Sequence, residues 1–399
     1  MIKDNILQKK IQYFIFLSLI GFSLRLIMSN FGIDASSLEG LWDSDVEAFQ
    51  TNLELMRNGK SFYEPGHFNY SPLWLWICNI VDNIKIPLLN NTNYEVFRIK
   101  IIILLSLVDL IIFYLLFKNY NLKIGLLFYL NPVSIIITGV HNQFDNFAIL
   151  IGFISVLFYE KSSKDKINFL FSLFLLGLSL ALKHILFLFP IWLAIKEKKF
   201  YKKILIILIP VFIFIISFFP YLFNDFQYIS QHVFNYISYN NGPFWGMFTS
   251  KVIDMYIPRK YMFILILIIA GLFFEKKSPK ISFYYYLLSV VIFSSSLAIQ
   301  YLTIPLIAIA VFWNSKYFIY CLLCIGITLV SPGHFYIEEL RDLLNWNRIS
   351  SKIALYPIIF FLMLGFIETI FGKKKINKIF KNILIWFKIK IKTQLNFKN

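Results

Sequence analysis

Apolar runs of roughly 15 to 23 residues recur along almost the whole chain, each close to the length that crosses a hydrocarbon core of about 30 Å. The first extends from about Ile11 to Asn30. It carries Arg25 and has no small-residue cleavage site, so the pattern predicts a retained helix rather than a removed leader. Further runs lie at about 98–117, 123–139, 146–160, 167–183, 184–197, 203–223, 261–275, 281–299, 300–313, 317–331 and 353–371, bounded by polar or turn residues. The fold class this predicts is an all-α polytopic membrane protein of about twelve transmembrane helices. One run is too short. Ser71-Pro72-Leu73-Trp74-Leu75-Trp76-Ile77-Cys78-Asn79-Ile80-Val81 would rise only about 16 Å as a helix, which predicts an interfacial or re-entrant helix begun by Pro72, with Trp74 and Trp76 at headgroup level. The rest of 31–97 is polar, acidic and aromatic, a long first loop. No internal repeat and no inverted pair of broken helices is legible, which counts against a secondary transporter.

Composition supports the membrane class: 58% of residues are hydrophobic and 15% charged, against the 45–50% apolar share of soluble domains. The net charge of +17 would point to nucleic acid in a soluble protein. Here the lysines sit in the short connections, so the charge reads as orientation by the positive-inside rule and no nucleic-acid partner is expected. The lysines around 118–123, 161–166, 196–203, 276–280 and 316, and those beyond Gly372, then lie inside. The first loop, 224–260 and 332–352 lie outside with most of the acidic residues. Making Ser71–Val81 a full span would invert this arrangement. The tail 372–399 interleaves lysines with bulky apolar residues, as an amphipathic helix on an anionic inner leaflet does. Cys321 and Cys324 fall inside an apolar run, where packing is the expected role.

Candidate chemistry collects on the outer face. Asp43, Asp45 and Glu47 crowd three carboxylates into five positions, an arrangement that raises the pKa of at least one. A helix N-terminus with a capping box is the structural alternative. The same face receives Tyr70, the tight turn His141-Asn142-Gln143-Phe144-Asp145-Asn146, the pair Lys183-His184, and Gln300-Tyr301. Each has a local alternative: His141 could pair with Asp145, Lys183 could snorkel to headgroups, and Gln300 could cap a helix. Their joint placement favours a site. Asp109, in mid-span, needs a buried partner, and Arg25 is the candidate.

In order and wording these residues resemble the GT-C superfamily of integral-membrane glycosyltransferases, which use polyprenyl- or dolichyl-phosphate-linked sugars. Asp45-Val46-Glu47-Ala48 is similar to the acidic motif of the dolichyl-phosphate-glucose-dependent glucosyltransferases of asparagine-linked glycosylation. Asp43-Ser44-Asp45 resembles that of the first mannosyltransferase of GPI-anchor synthesis. Asn69-Tyr70-Ser71-Pro72-Leu73, Asp109-Leu110, Asn131-Pro132 with the 141–146 turn, Leu182-Lys183 and Gln300-Tyr301 extend the likeness. Residues 11 to 200 resemble the family well, so 1–200 reads as the catalytic module, 201–371 as a variable transmembrane module and 372–399 as a cytoplasmic tail. Ser71 stands where the glucosyltransferases carry a proline, and the loop 224–260, with Asn240-Asn241-Gly242-Pro243, matches neither family, which leaves sugar and acceptor open.

The resemblance implies an inverting hexosyl transfer on the outer face, from a polyprenyl-phosphate-linked donor to a glycan, lipid or protein acceptor. Asp45 would be the general base, with Asp43 and Glu47 beside it. Lys183 would balance the leaving phosphate, with His184 and His141 as further donors and Gln143, Asp145, Tyr70, Gln300 and Tyr301 lining the substrate site. No cofactor is implied, although the acidic motif could instead hold a divalent cation such as Mg²⁺ or Mn²⁺. The lysine-, isoleucine- and asparagine-rich composition suits a bacterial plasma membrane. Two other functions fit less well: an outer-face polysaccharide polymerase or ligase, which depends on an arginine-rich outer loop where 224–260 holds Arg259 alone, and a lipid or ion transporter, for which mid-membrane charges are few.

Overall fold

The computed structural model describes residues 2–30, 44–86, 94–162, 165–236, 242–248, 258–330 and 351–375. Among them the chain is a succession of helices with no strand element. In order these are α1 (Ile2–Ser29), α2 (Ser44–Arg57), α3 (Leu73–Asn83), α4 (Tyr94–Asn119), α5 (Leu122–Tyr129) and α6 (Pro132–Ile136), which a π-helix (Ile137–His141) extends. Then come α7 (Asp145–Lys161), α8 (Lys166–Leu182), α9 (Phe189–Lys196), α10 (Phe200–Ile216), α11 (Phe219–Leu222) and α12 (Phe226–Ile229). The last are α13 (Pro243–Phe248), α14 (Arg259–Phe273), α15 (Pro279–Ile292), α16 (Leu306–Val311), α17 (Ser315–Val330) and α18 (Ser351–Phe371). The tail 376–399, the loop 331–350 and Asp43 lie outside the described residues, and with them the expectations attached to them.

Among the described residues three stretches are long and apolar enough to cross a membrane: Ile11–Ser29, Tyr94–Asn119 and Ile353–Phe371. Their surfaces agree. Tyr13, Phe16 and Leu19 on α1 are 59%, 61% and 63% exposed, an apolar face that water would penalise and lipid tails accept. This is a membrane protein.

The expected series of straight spans is interrupted. Residues 123–139 bend by 47° between α5 and the Pro132–His141 helix, where Asn131 caps the new helix by accepting from the Val133 N–H and Pro132 occupies its first turn. The span expected at 184–197 is a 3₁₀ turn at His184–Leu186 followed by α9, whose eight residues rise only about 12 Å. The span expected at 300–313 divides in the same way into a 3₁₀ turn, Ile299–Thr303, and α16. Broken helices, which the apolar pattern concealed, are therefore a feature of the fold. They leave backbone polar groups at the breaks, and those breaks carry Lys183, His141 and Tyr301.

α7 and α8 pack along their lengths, α10 lies against α8, α1 against α4, and α17 against α18. At the centre of the α1–α4 contact, Arg25 Nε donates to Asp109 Oδ2 at 3.0 Å, with both side chains fully buried. Asp109 also accepts from Thr138 Oγ1 at 2.7 Å and Asn146 Nδ2 at 2.7 Å, while Arg25 reaches Ser134 and lies 4.5 Å from the Tyr129 ring centre. The pairing expected from sequence is present, and it ties α1 and α4 to the π-helix and the start of α7. Asp109→Ala should cost about 3–5 kcal/mol by leaving Arg25 buried without a counter-charge. Arg25→Met combined with Asp109→Leu should recover much of that loss. Thermal unfolding of the purified variants in detergent checks both.

Candidate active site

The first loop folds back onto the bundle and is fixed there by aromatic packing. Trp74, at the start of α3, is fully buried and stacks on Phe144 at 4.1 Å with the rings 9° apart. Phe49 of α2 meets both rings edge-on. Sequence placed Trp74 at headgroup level; instead it is a core residue, because α3 packs against α2 and α4 and sits beside the end of α8. Ser71 Oγ donates to the Ala181 carbonyl near the end of α8. Arg57, closing α2, pairs with Asp82 at 2.8 Å and donates to Asn79 at 2.9 Å, which clamps α2 to α3.

This docking brings four distant segments to one point. Asp45, in the first turn of α2, accepts a hydrogen bond from Gln143 Nε2. Gln143 Oε1 in turn accepts from Lys183 Nζ at 3.4 Å, and Lys183 pairs with Asp145 Oδ2 at 2.7 Å. Lys183, Gln143 and Asp145 are buried, and Asp45 is partly so. The ammonium stands 5.2 Å from the Tyr70 ring centre, 4.8 Å from Phe144 and 5.7 Å from Tyr301, a cage of π faces around the charge. Burial raises the Asp45 carboxyl above its ordinary value and the Asp145 carboxylate adds to it, while Lys183 and the Gln143 hydrogen bond pull the other way. Burial, with Asp45 and Asp145 nearby, also keeps the Tyr70 phenol neutral.

The backbone here departs from regular helix. The π-helix runs Ile137–His141, and Asn142 follows with φ 57°, the one left-handed non-glycine among the described residues. Both features recur at functional sites, and here they turn the chain so that Gln143 faces Asp45 while Asp145 faces Lys183. Arg98, buried in α4, donates to the Gly139 and Val140 carbonyls at 3.3 and 3.1 Å and to Ser29 O. It binds up carbonyls that the π-helix frees. No sequence motif marks Arg98; its place at the end of the first loop, where an apolar run begins, is the one signal for it.

Of the residues expected in the site, Asp45, Gln143, Asp145, Lys183, Tyr70 and Tyr301 converge. His141 is buried at the end of the π-helix. Glu47 is turned roughly 200° around α2 from Asp45 and joins none of these hydrogen bonds. His184 is exposed at the start of its 3₁₀ turn, next to Lys183 along the chain, and Gln300 accepts at its backbone carbonyl from Thr303 Oγ1 at 3.1 Å. Asp43 lies outside the described residues. No group of three His, Cys, Asp or Glu side chains among the described residues is placed to hold a metal ion. No protein-family model, curated protein or solved structure matches the chain.

Proposed function

We propose that the protein is an inverting glycosyltransferase with about twelve membrane crossings. It moves a hexose from a polyprenyl-phosphate-linked donor to a glycan, lipid or protein acceptor on the outer face of a bacterial plasma membrane. The observation that carries this reading is the Asp45–Gln143–Lys183–Asp145 chain, which sets a carboxylate of raised pKa one side chain away from a buried ammonium. An acceptor hydroxyl oxygen attacks the anomeric carbon while the bond from that carbon to the phosphate oxygen breaks. The hydroxyl proton passes to Asp45, and the electron pair leaves with the polyprenyl phosphate, whose growing charge Lys183 offsets. One displacement needs one base, so no covalent intermediate is required.

Ionised Asp45 is the reactive form. Transfer should therefore fall by about tenfold per pH unit below its raised pKa, with a midpoint above the 3.8 of an ordinary aspartate. The pH dependence of kcat with saturating donor measures it, and a flat acid limb in wild-type protein would remove Asp45 as base. The orientation is tested separately. The natural cysteines are buried, so a cysteine at Glu64 should react with a membrane-impermeant maleimide in intact cells and one at Lys276 should not. The reverse pattern would place the site inside.

One observation favours a second reading. Broken helices beside buried ion pairs also build the substrate sites of transporters, and a lipid or ion transporter would move its substrate without consuming it. Mass spectrometry of lipid-linked sugars and surface glycans in a deletion strain separates the two. Accumulated donor with a missing glycan residue supports transfer, and unchanged glycan structure opposes it.

A further inference from the structure

Lys183 has a resident anion. Its ammonium is bound at 2.7 Å by Asp145 Oδ2, and the two side chains are 3% and 1% exposed as residues. The second oxygen, Asp145 Oδ1, is buried and has no hydrogen-bond partner among the described residues. A carboxylate used only for structure would be expected to satisfy both oxygens, as Asp109 does with Arg25, Ser134, Thr138 and Asn146. Asp145 is also the first residue of the 17-residue helix α7. There the positive end of the helix dipole stabilises an anion. Lys183, held by the aromatic cage, and the α7 N-terminus therefore form an anion position already filled by the protein's own carboxylate.

We infer that Asp145 is an internal stand-in for the donor phosphate, displaced from Lys183 when the lipid phosphate binds and returning to expel the product. This rests on the proposed transferase reading and deepens it. Two anions cannot share one ammonium in a buried site without strong repulsion. Displaced, the Asp145 carboxylate would stay at the start of α7, where the positive end of the helix dipole favours an anion. The donor phosphodiester carries one negative charge and the departing monoester nearly two, so the product would otherwise hold Lys183 more tightly than the substrate did. A competing carboxylate weakens both and hastens release. Gln143 spans the ammonium and Asp45, so the same displacement reaches the base through one side chain.

The test is binding of undecaprenyl phosphate to purified full-length protein, by thermal shift and by equilibrium competition, for wild type and Asp145→Asn. Asparagine keeps the shape and removes the competing charge, so the variant should bind on the order of tenfold more tightly or better. In transfer assays it should show a lower KM for donor together with a lower kcat limited by product release. A simple loss of structure moves neither in that direction. If Asp145→Asn is unstable alone because Lys183 lacks its counter-ion, undecaprenyl phosphate added during solubilisation should restore a monodisperse folded protein. Failure to do so while wild type binds overturns the inference. Equal or weaker binding by a folded Asp145→Asn overturns it and leaves the transferase reading standing. Absence of binding by wild type and variant alike overturns both.

Discussion

Asp45→Asn is expected to leave the protein folded and able to bind donor while sugar transfer drops by about a hundredfold or more, the usual contribution of a general base. Asparagine keeps an acceptor oxygen for Gln143 Nε2, so the hydrogen bond that positions residue 45 survives. What it lacks is a site for the acceptor proton. Glu47→Gln should lose far less, because Glu47 faces another side of α2 and joins none of the site's hydrogen bonds. Asp43→Asn should likewise be mild if Asp43 only adjusts Asp45. The assay is transfer from a purified polyprenyl-phosphate sugar to membrane acceptors, run in parallel with EDTA. Near-normal transfer by Asp45→Asn would remove the base assignment. Loss of activity in EDTA, restored by Mn²⁺ or Mg²⁺, would make the carboxylates metal ligands.

Lys183→Ala should have the second large effect, in two measurable parts. A charge-assisted contact to the leaving phosphate is worth about 1.5–3 kcal/mol, so kcat/KM for donor should fall by roughly ten- to a hundredfold. Asp145 is also left buried without its partner, a loss that reaches about 3–5 kcal/mol for buried pairs. The double variant Lys183→Ala with Asp145→Ala should recover stability without recovering transfer. Lys183→Arg should be intermediate, because it keeps the charge but needs more room among Tyr70, Phe144 and Tyr301. Parental turnover by Lys183→Ala would reduce Lys183 to a structural counter-ion of Asp145.

The helical class was legible because apolar runs bounded by lysines leave little else to form, and the Arg25–Asp109 pair was legible because an unpartnered charge in a span is so unfavourable. Most of the polar centre was legible too. Asp45, Gln143, Asp145 and Lys183 stood out as polar residues at turns between apolar helices, and those turns share one side of the bundle. What sequence could not supply was their pairing. His141 was the natural partner for Asp145 by proximity along the chain, yet the π-helix and the left-handed Asn142 rotate Asp145 towards Lys183 instead. The breaks were hidden for a related reason. Hydropathy averages over windows and does not see a 3₁₀ turn inside an apolar run, so 184–197 and 300–313 read as unbroken helices. Trp74 was misplaced because a tryptophan at the start of a short amphipathic helix has the same local pattern whether it meets headgroups or, as here, the face of Phe144.

The most direct measurement incubates the purified full-length protein with a polyprenyl-phosphate hexose labelled in the sugar, using membranes from a deletion strain as acceptor. Labelled sugar should appear in the acceptor with inverted anomeric configuration, matched by free polyprenyl phosphate, and should vanish with Asp45→Asn. Folded protein that leaves the donor intact, or that transfers only from a nucleotide sugar, would contradict the account.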